Sequence, residues 1–248
     1  MSTMPLPRPR RSGNHFVTTV ADAITYAVDN GVKLINISVS GSEDSAVEKS
    51  AVDYAASKGV LIVAAAGNQQ QTAPRYPAAY PSVLSVTAID STGALWASSN
   101  TGSTVDVAAP GVSLATLFYP GGGYGTWTGT SFSTPVITSL SALLMSAYPN
   151  ATPDNIRAAV TSTADACCSN AFPGGKVNAV KALAYLANLF PAPAAPWDIN
   201  GDGKVNITDL SILLSNYTKT GTNIADLNGD AIVNLTDLSI LLSHWTGS

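Results

Sequence analysis

Residues 129–144 read Gly129-Thr130-Ser131-Phe132-Ser133-Thr134-Pro135-Val136-Ile137-Thr138-Ser139-Leu140-Ser141-Ala142-Leu143-Leu144, and the rest of the chain is organised around them. The bulky apolar residues of this stretch recur at helical spacing, which predicts a helix that begins beside Ser131. Unsatisfied N–H groups and the positive end of the helix dipole stabilise negative charge near a serine oxygen. Ser131 is therefore a candidate nucleophile, although a serine N-cap with proline in the first turn explains the same pattern.

Apolar runs and helical patterns alternate over residues 19–190. A run at 60–66 is apolar on both faces, and it follows a strand pattern at 34–39 and a helix pattern at 45–57. Strand, helix and strand with burial on both faces predict a parallel sheet with right-handed crossovers. Further strands are predicted at 83–88, 105–107 and 124–128, and further helices at 19–30, 152–163 and 177–189.

Composition excludes several classes of partner. The chain has 248 residues, 46% of them hydrophobic and 11% charged, so it can bury a substantial core. Its net charge of −4 leaves no basic stripe for a nucleic acid. No apolar run approaches the roughly 18 residues of a membrane span. Residues 1–18 are expected to be an irregular lead-in, and their arginines precede no apolar stretch of the kind found in signal peptides.

The two cysteines, Cys167 and Cys168, are adjacent in the sequence. This is poor geometry for an ordinary disulfide between distant segments. We therefore expect small thiols that are buried or half exposed.

Several short motifs occur in one order over residues 20–187. They are Asn36-Ile37-Ser38, Ala64-Ala65-Ala66-Gly67-Asn68, Tyr76-Pro77-Ala78-Ala79-Tyr80-Pro81-Ser82-Val83, Ala108-Ala109-Pro110-Gly111-Val112, the Ser131 segment, and Gly175-Lys176-Val177-Asn178-Ala179. This set resembles the subtilisin-like serine peptidases, whose nucleophile segment reads G-T-S-x-[AS]-[ST]-P. The resemblance implies an α/β fold with a doubly wound parallel sheet and the hydrolysis of a peptide or protein substrate.

The resemblance also implies roles for individual residues. Ser131 is the nucleophile, and Asn68 donates a hydrogen bond to the oxyanion. An asparagine after a glycine is also an ordinary turn residue. Ser40 replaces a small glycine of the family's substrate strand and could crowd a peptide backbone, whereas Val136 replaces a histidine and changes only packing. The residues implied to line the primary specificity cleft are Ser38, Val39, Ser40, Ala65, Ala66 and Gly67.

The sequence lacks the family's D-[ST]-G and H-G-T-H-V-A-G motifs, which carry the other two members of the catalytic triad. His15 has none of the flanking glycines, and His244 lies near the end of the chain. We therefore expect the C-terminal part of a catalytic domain, with the N-terminal strands of its sheet missing and no activity by itself. The alternative is a non-enzymatic calcium-dependent binding or scaffold-attachment protein that retains a peptidase remnant.

A Pro- and Ala-rich linker at 191–197 precedes an internal repeat. The segment Asp198-Ile199-Asn200-Gly201-Asp202 recurs as Asp226-Leu227-Asn228-Gly229-Asp230, and the same apolar helix pattern follows each copy. A 12-residue calcium loop supplies oxygen ligands from positions 1, 3, 5, 7, 9 and 12. The predicted ligands are Asp198, Asn200, Asp202, the Lys204 carbonyl, Asn206 and Asp209 in loop one, and Asp226, Asn228, Asp230, the Ile232 carbonyl, Asn234 and Asp237 in loop two.

The repeat resembles a type I dockerin, a small all-α module that binds calcium and docks onto cohesin domains. Two calcium ions are implied, and we expect loop two to bind less tightly because Ala231 replaces the preferred glycine. The residue pairs implied to choose the partner are Ile207-Thr208 and Leu235-Thr236. The predicted domains are the lead-in at 1–18, the peptidase domain at 19–190, the linker at 191–197 and the dockerin-like domain at 198–248. Both resemblances imply an extracellular protein.

Overall fold

The computed structural model of the protein describes residues 13–117, 122–191 and 195–246. The chain divides into two compact units, residues 1–190 and residues 191–248. The helices of the first unit are α1 (Gly13–Asp29), α2 (Ala46–Ser57), α3 (Thr130–Ala147), α4 (Pro153–Ser162) and α5 (Ala179–Leu189). Its strands are β1 (Leu34–Ile37), β2 (Leu61–Ala65), β3 (Val83–Ile89), β4 (Val107–Pro110), β5 (Leu114–Leu117) and β6 (Tyr124–Trp127). The second unit contains α6 (Ile207–Ser215) and α7 (Leu235–Ser243).

Strands β1 to β4 form a parallel four-stranded sheet in the order β1-β2-β3-β4. Every residue of β2 and β3 is buried, as expected for strands covered on both faces. Alternate side chains of β2 pack into two different hydrophobic cores, one on each face of the sheet. Ile62 packs with α1 and α2 on one face, and Val63 packs with α3, α4 and α5 on the other. This layered arrangement confirms the predicted doubly wound α/β fold.

Helix α1 begins at Gly13, six residues before the predicted start at residue 19. The prediction of an irregular lead-in is therefore wrong for residues 13–18, while residues 1–12 lie outside the described residues. No proline or other helix breaker separates residues 13–18 from the buried face set by Ala21 and Ile24, so the helix extends toward the N-terminus.

Strand β6 pairs antiparallel with β5 in a separate two-stranded sheet. The sequence pattern predicted β6 but not β5, because Leu114–Leu117 shows no long apolar run. This hairpin leads directly into Gly129 and the start of α3.

Cys167 and Cys168 are joined in a disulfide, so the prediction of free thiols is wrong. Both cysteines are partly buried, and they pack against the cluster that contains Ala66 and Phe172. Adjacent cysteines are poor partners for a bridge between distant segments, but that restriction does not prevent a bond between the two neighbours.

The second unit has a small core. Its buried apolar residues come from both copies of the repeat, and they are Ile199, Val205, Leu213, Ala225, Val233 and Leu241. Trp197 stacks on His244 with 3.5 Å between ring centroids, and Thr246 N donates to the Val205 carbonyl at 2.9 Å. These contacts bring the two ends of the unit together. Of the helices in the described residues, none is both long enough and apolar enough to cross a membrane.

Candidate functional site

Ser131 lines a cavity of about 340 Å³ at the carboxyl ends of β1 and β2. Its walls are Ser38, Val39, Ser40, Ala65, Gly67, Asn68, Gln69, Thr130 and Ser131. The structure thus brings together all but one of the residues predicted for catalysis and for the specificity cleft. The exception is Ala66, which packs in the cluster with Ile89 and Phe172 instead of lining the cavity. Gln69 and Thr130 line the cavity but were not predicted.

Ser131 lies in the first turn of α3. Its main chain is held there by the side chain of Ser38, the residue that directly follows β1. Pro135 lies one turn further on and has no N–H for the Ser131 carbonyl, so that carbonyl is open to another donor. Ser38 Oγ donates to it at 2.9 Å. In return, Ser131 Oγ donates to the Ser38 carbonyl at 2.9 Å. The Ser131 hydroxyl is therefore held at a carbonyl oxygen, which orients it but cannot take its proton.

The Asn68 side chain is oriented by Thr130. Asn68 Oδ1 accepts from Thr130 N at 2.9 Å and from Thr130 Oγ1 at 2.7 Å. With the oxygen fixed in this way, the NH₂ group of the amide faces away from Thr130. A Cβ placed on Gly129 would lie 3.2 Å from Asn68 Nδ2, so a glycine there lets the amide approach the start of α3 closely. An amide donor and first-turn N–H groups near one serine are the components of an oxyanion site.

Asn100 fixes the loop that carries Asn68. Its Nδ2 donates to the Ala66 carbonyl at 2.9 Å and to Gln69 Oε1 at 3.0 Å. Its Oδ1 accepts from Gln69 N at 2.9 Å and Gln71 N at 3.2 Å. The buried amide thus uses all its hydrogen-bonding capacity on one loop. Sequence reasoning missed Asn100 because nothing in its local pattern shows that it contacts a loop so far upstream.

No histidine of the described residues lines the cavity. His244 belongs to the second unit, where it stacks on Trp197 and its Nδ1 lies 2.9 Å from the Ile240 carbonyl. His15 is in α1, and its side chain lies outside the described part of the chain.

In the second unit, the predicted calcium ligands of loop two converge. Asp230 Oδ2 lies 2.8 Å from Asn228 Nδ2 and 3.4 Å from Asn234 Nδ2, and Asn234 Nδ2 also lies 3.1 Å from the Ile232 carbonyl. Hydrogen bonding with Asn228 is the main cause that lowers the pKa of Asp230. A half-turn of each amide would present its oxygen to the same point, so this donor set fits a hard cation.

Loop one repeats part of this arrangement. Asn200 Nδ2 donates to Asp202 Oδ2 at 2.9 Å, and Asp198 Oδ2 accepts from Gly203 N at 2.7 Å. In the described residues, no group of three or more His, Cys, Asp or Glu side chains is arranged to hold a metal. The convergent donors are instead carboxylates mixed with asparagine amides.

The final carboxylate of each loop is fully buried. Asp209 accepts from Ile199 N, Asn200 N and Asn206 N, and Asp237 accepts from the equivalent three amides of loop two. Burial alone would raise the pKa of Asp209, but these N–H donors outweigh burial and hold the pKa below its usual value. Each carboxylate therefore closes its loop while keeping lone pairs for a metal.

Comparison with known proteins assigns the chain to a family. The Subtilase family model matches residues 7–201, and the model of the dockerin type I domain matches residues 196–244. The chain belongs to the subtilase family and carries a type I dockerin domain, and the predicted resemblances are confirmed.

Relatives include thermitase from Thermoactinomyces vulgaris, 42% identical over 176 residues that cover 70% of this chain and 62% of thermitase. Subtilisin E from Bacillus subtilis is 37% identical over 169 residues, which cover 66% of this chain and 44% of that protein. The chain thus spans 44% to 62% of the length of these relatives.

Solved structures with the same fold include the patellamide maturation protease PatA, with a TM-score of 0.66 and 32% identity over 69% of each chain. The prenylagaramide maturation protease PagA gives a TM-score of 0.65 at 28% identity, over 72% of this chain and 70% of that one.

Proposed function

We propose that the first unit carries the nucleophile and the oxyanion donor of a serine endopeptidase site. The observation that supports this most is the shared cavity, into which the first turn of α3 brings Ser131 and to which the Thr130-oriented amide of Asn68 also belongs. Ser131 Oγ would attack the peptide carbonyl carbon and form an acyl-enzyme. Asn68 Nδ2 and first-turn N–H groups would stabilise the oxyanion.

The attack also requires a base that takes the Ser131 proton. The hydroxyl now donates to the Ser38 carbonyl, and the sequence contains neither the Asp motif nor the His motif of the family. Removal of the base from a subtilisin lowers turnover by about 10⁶-fold. We infer that these 248 residues do not hydrolyse peptides by themselves, and that a partner or an additional segment must supply the base.

Labelling with a fluorophosphonate probe tests this inference. The full chain and its Ser131→Ala variant are compared under the same conditions, with labelling followed by mass spectrometry. We expect no difference between them, because an unactivated serine reacts no faster than other surface hydroxyls. Robust labelling that depends on Ser131 would contradict the inference.

We propose further that the dockerin domain binds two calcium ions. Each loop supplies three carboxylates, two asparagine amides and one carbonyl, which is the ligand number and hardness that calcium prefers. The ion would compensate the charge of the carboxylates and so stabilise a unit whose core is small. Calcium titration followed by circular dichroism checks this, and helicity that is unchanged by chelation would contradict it.

A cohesin-type partner and an extracellular location complete the proposal. Ile207 and Leu235 are 65% and 68% exposed, equivalent in the repeat, and each is followed by a threonine. Either half of the domain could therefore present the same surface. If the peptidase site stays incomplete, calcium-dependent attachment is the second candidate function, and the convergent ligands of loop two favour it.

A further inference from the structure

We propose that Thr246 is a positioning residue of calcium loop one, where its hydroxyl group orients the Lys204 carbonyl toward the ion. The inference rests on the proposed binding of calcium and adds a residue that the ligand pattern of the loop does not include. Thr246 lies 41 residues beyond Val205, the loop residue that it contacts. Nothing in the sequence of the loop therefore points to it.

Thr246 binds both polar backbone groups of Val205. Val205 N donates to Thr246 Oγ1 at 2.8 Å. The Val205 carbonyl accepts from Thr246 N at 2.9 Å and from Thr246 Oγ1 at 3.1 Å. The hydroxyl group thus acts as acceptor and donor on one residue, whose exposed fraction is only 3%.

This contact acts on a calcium ligand because Lys204 and Val205 share a peptide unit. In a trans peptide the C=O and N–H groups lie in one plane and point in opposite directions. A bond that fixes the Val205 N–H therefore also fixes the direction of the Lys204 carbonyl, the predicted ligand at position 7. The next peptide unit is held as well, because Asn206 N donates to Asp209 Oδ2 at 2.9 Å. The segment with the ligands of positions 7 and 9 is thus oriented by contacts outside the ion.

Loop two has the same support without a side chain. Thr218 occupies the place in the repeat that Thr246 occupies after the second copy. Its N–H donates to the Val233 carbonyl at 2.8 Å, and Val233 N donates to the Lys219 carbonyl at 3.0 Å. Within the described part of the chain, the Thr218 hydroxyl has no hydrogen-bond partner. The acceptor of the Val233 N–H is thus a backbone carbonyl, whereas that of the Val205 N–H is a hydroxyl that a substitution can remove.

The segment that carries Thr246 is held in place by other contacts. Helix α7 ends at Ser243, and His244 N donates to the Leu241 carbonyl at 3.1 Å. The His244 ring stacks on Trp197, the residue directly before the first predicted ligand of loop one. Removal of the hydroxyl alone therefore leaves the segment beside Val205.

The bond to Thr246 favours the calcium-loaded form. A carbonyl that coordinates a cation polarises its peptide unit, and the N–H of that unit becomes a stronger donor. The bond from Val205 N to Thr246 Oγ1 is therefore stronger when the ion is bound, and an interaction of this kind raises affinity. Without the hydroxyl the N–H loses its acceptor, so we expect loop one to bind calcium about tenfold more weakly.

Calcium titration of the full chain, followed by NMR, tests this expectation. Free calcium is set with a chelator, and the amide signals of Gly201 and Gly229 report loop one and loop two separately. In Thr246→Val, loop one should lose about tenfold in affinity and loop two should change less than about twofold. Equal losses at both loops, or no loss at loop one, would overturn the inference.

Two control variants separate the hydroxyl from the rest of the side chain. Thr218→Val removes the equivalent hydroxyl of the first copy and should leave both affinities unchanged. Thr246→Ser keeps the hydroxyl and should retain the affinity of loop one. If no signal of either loop shifts with calcium in the unmodified chain, the proposed calcium binding itself is overturned, and this inference with it.

Two further readouts are taken in saturating calcium. The ¹³C shift of the Lys204 carbonyl reports its contact with the ion, and Thr246→Val should reduce the calcium-induced change there but not at Ile232. An unchanged Lys204 signal would overturn the positioning role. In the unmodified chain the Val205 and Val233 amides should both be protected from hydrogen exchange. An unprotected Val205 amide would overturn the inference even if the variant fails to fold.

Discussion

At the scale of single residues, Gly67 joins the loop that carries Asn68 to two residues that hold this loop, Thr130 and Asn100. Its φ is +105°, a region that L side chains rarely adopt, and its N–H donates to Thr130 Oγ1 at 3.2 Å. A side chain here would collide with Asn100 Nδ2, the group that holds the loop through Ala66 and Gln69. The backbone at Gly67 and the side chain at Asn100 therefore fix Asn68 together.

Gly67→Ala should lower the free energy of unfolding of the first unit by about 1–3 kcal/mol, because both the positive φ and the Asn100 contact are disturbed. Gly41→Ala is the matched control, since a Cβ there meets no atom within 4 Å. Urea unfolding measures both variants. Equal stability of the two would show that the Asn100 contact is unimportant.

Ala231 occupies the place in loop two that Gly203 occupies in loop one, and both have a left-handed backbone, with φ of +67° and +83°. A non-glycine residue costs about 1 kcal/mol in this conformation. Ala231→Gly should therefore tighten calcium binding by loop two about fivefold. Gly203→Ala should weaken loop one by a similar factor. Calorimetric titration would contradict this expectation if neither variant changed an affinity.

At the scale of elements, α2 carries an acid on its buried face. Glu48 is 2% exposed, and burial, followed by the charge of Asp44, raises its pKa to about 7. In the unfolded chain the same carboxyl titrates near 4.5. The folded form thus binds the proton more strongly, so stability from this group is fully present at low pH and is lost as the pH rises from about 4.5 to about 7.

Glu48→Gln should remove this loss. We expect the variant to be more stable than the unmodified chain at pH 8, on the order of 1 kcal/mol, and to differ little at pH 4. Urea unfolding at the two pH values measures the difference. A variant that is less stable at pH 8 would show that the ionised carboxyl is stabilised by its surroundings.

The elements also show what the sequence could predict. The two-sided apolar runs at β2 and β3 predicted buried parallel strands, and the helical spacing after Ser131 predicted α3. Strand β5 was missed because its residues are half exposed and lack a strong pattern. Thr130 and Asn100 were missed for another reason, since their roles depend on contacts across the fold that no local pattern encodes.

At the scale of the whole molecule, two units have different sources of stability. The first has two extensive apolar clusters on the faces of its sheet, and the second has one small apolar cluster and two loops that carry the proposed calcium ligands. Chelation of calcium should therefore unfold the second unit and leave the first folded. Calorimetry should show two transitions, of which only one moves with EDTA. One common transition that shifts as a whole would contradict this.

The most direct measurement is fluorophosphonate labelling of a chimaera. A segment with the family's D-[ST]-G and H-G-T-H-V-A-G motifs replaces residues 1–12 ahead of α1, and Ser131→Ala in the same chimaera is the control. We predict labelling at Ser131 in the chimaera but not in the 248-residue chain. Asn68→Ala should slow it about 10²–10³-fold, the effect of losing such a donor in a subtilisin. A folded chimaera that stays unlabelled, or equally fast labelling of the chain by itself, would contradict the assignment of Ser131 and Asn68 as half of a peptidase site.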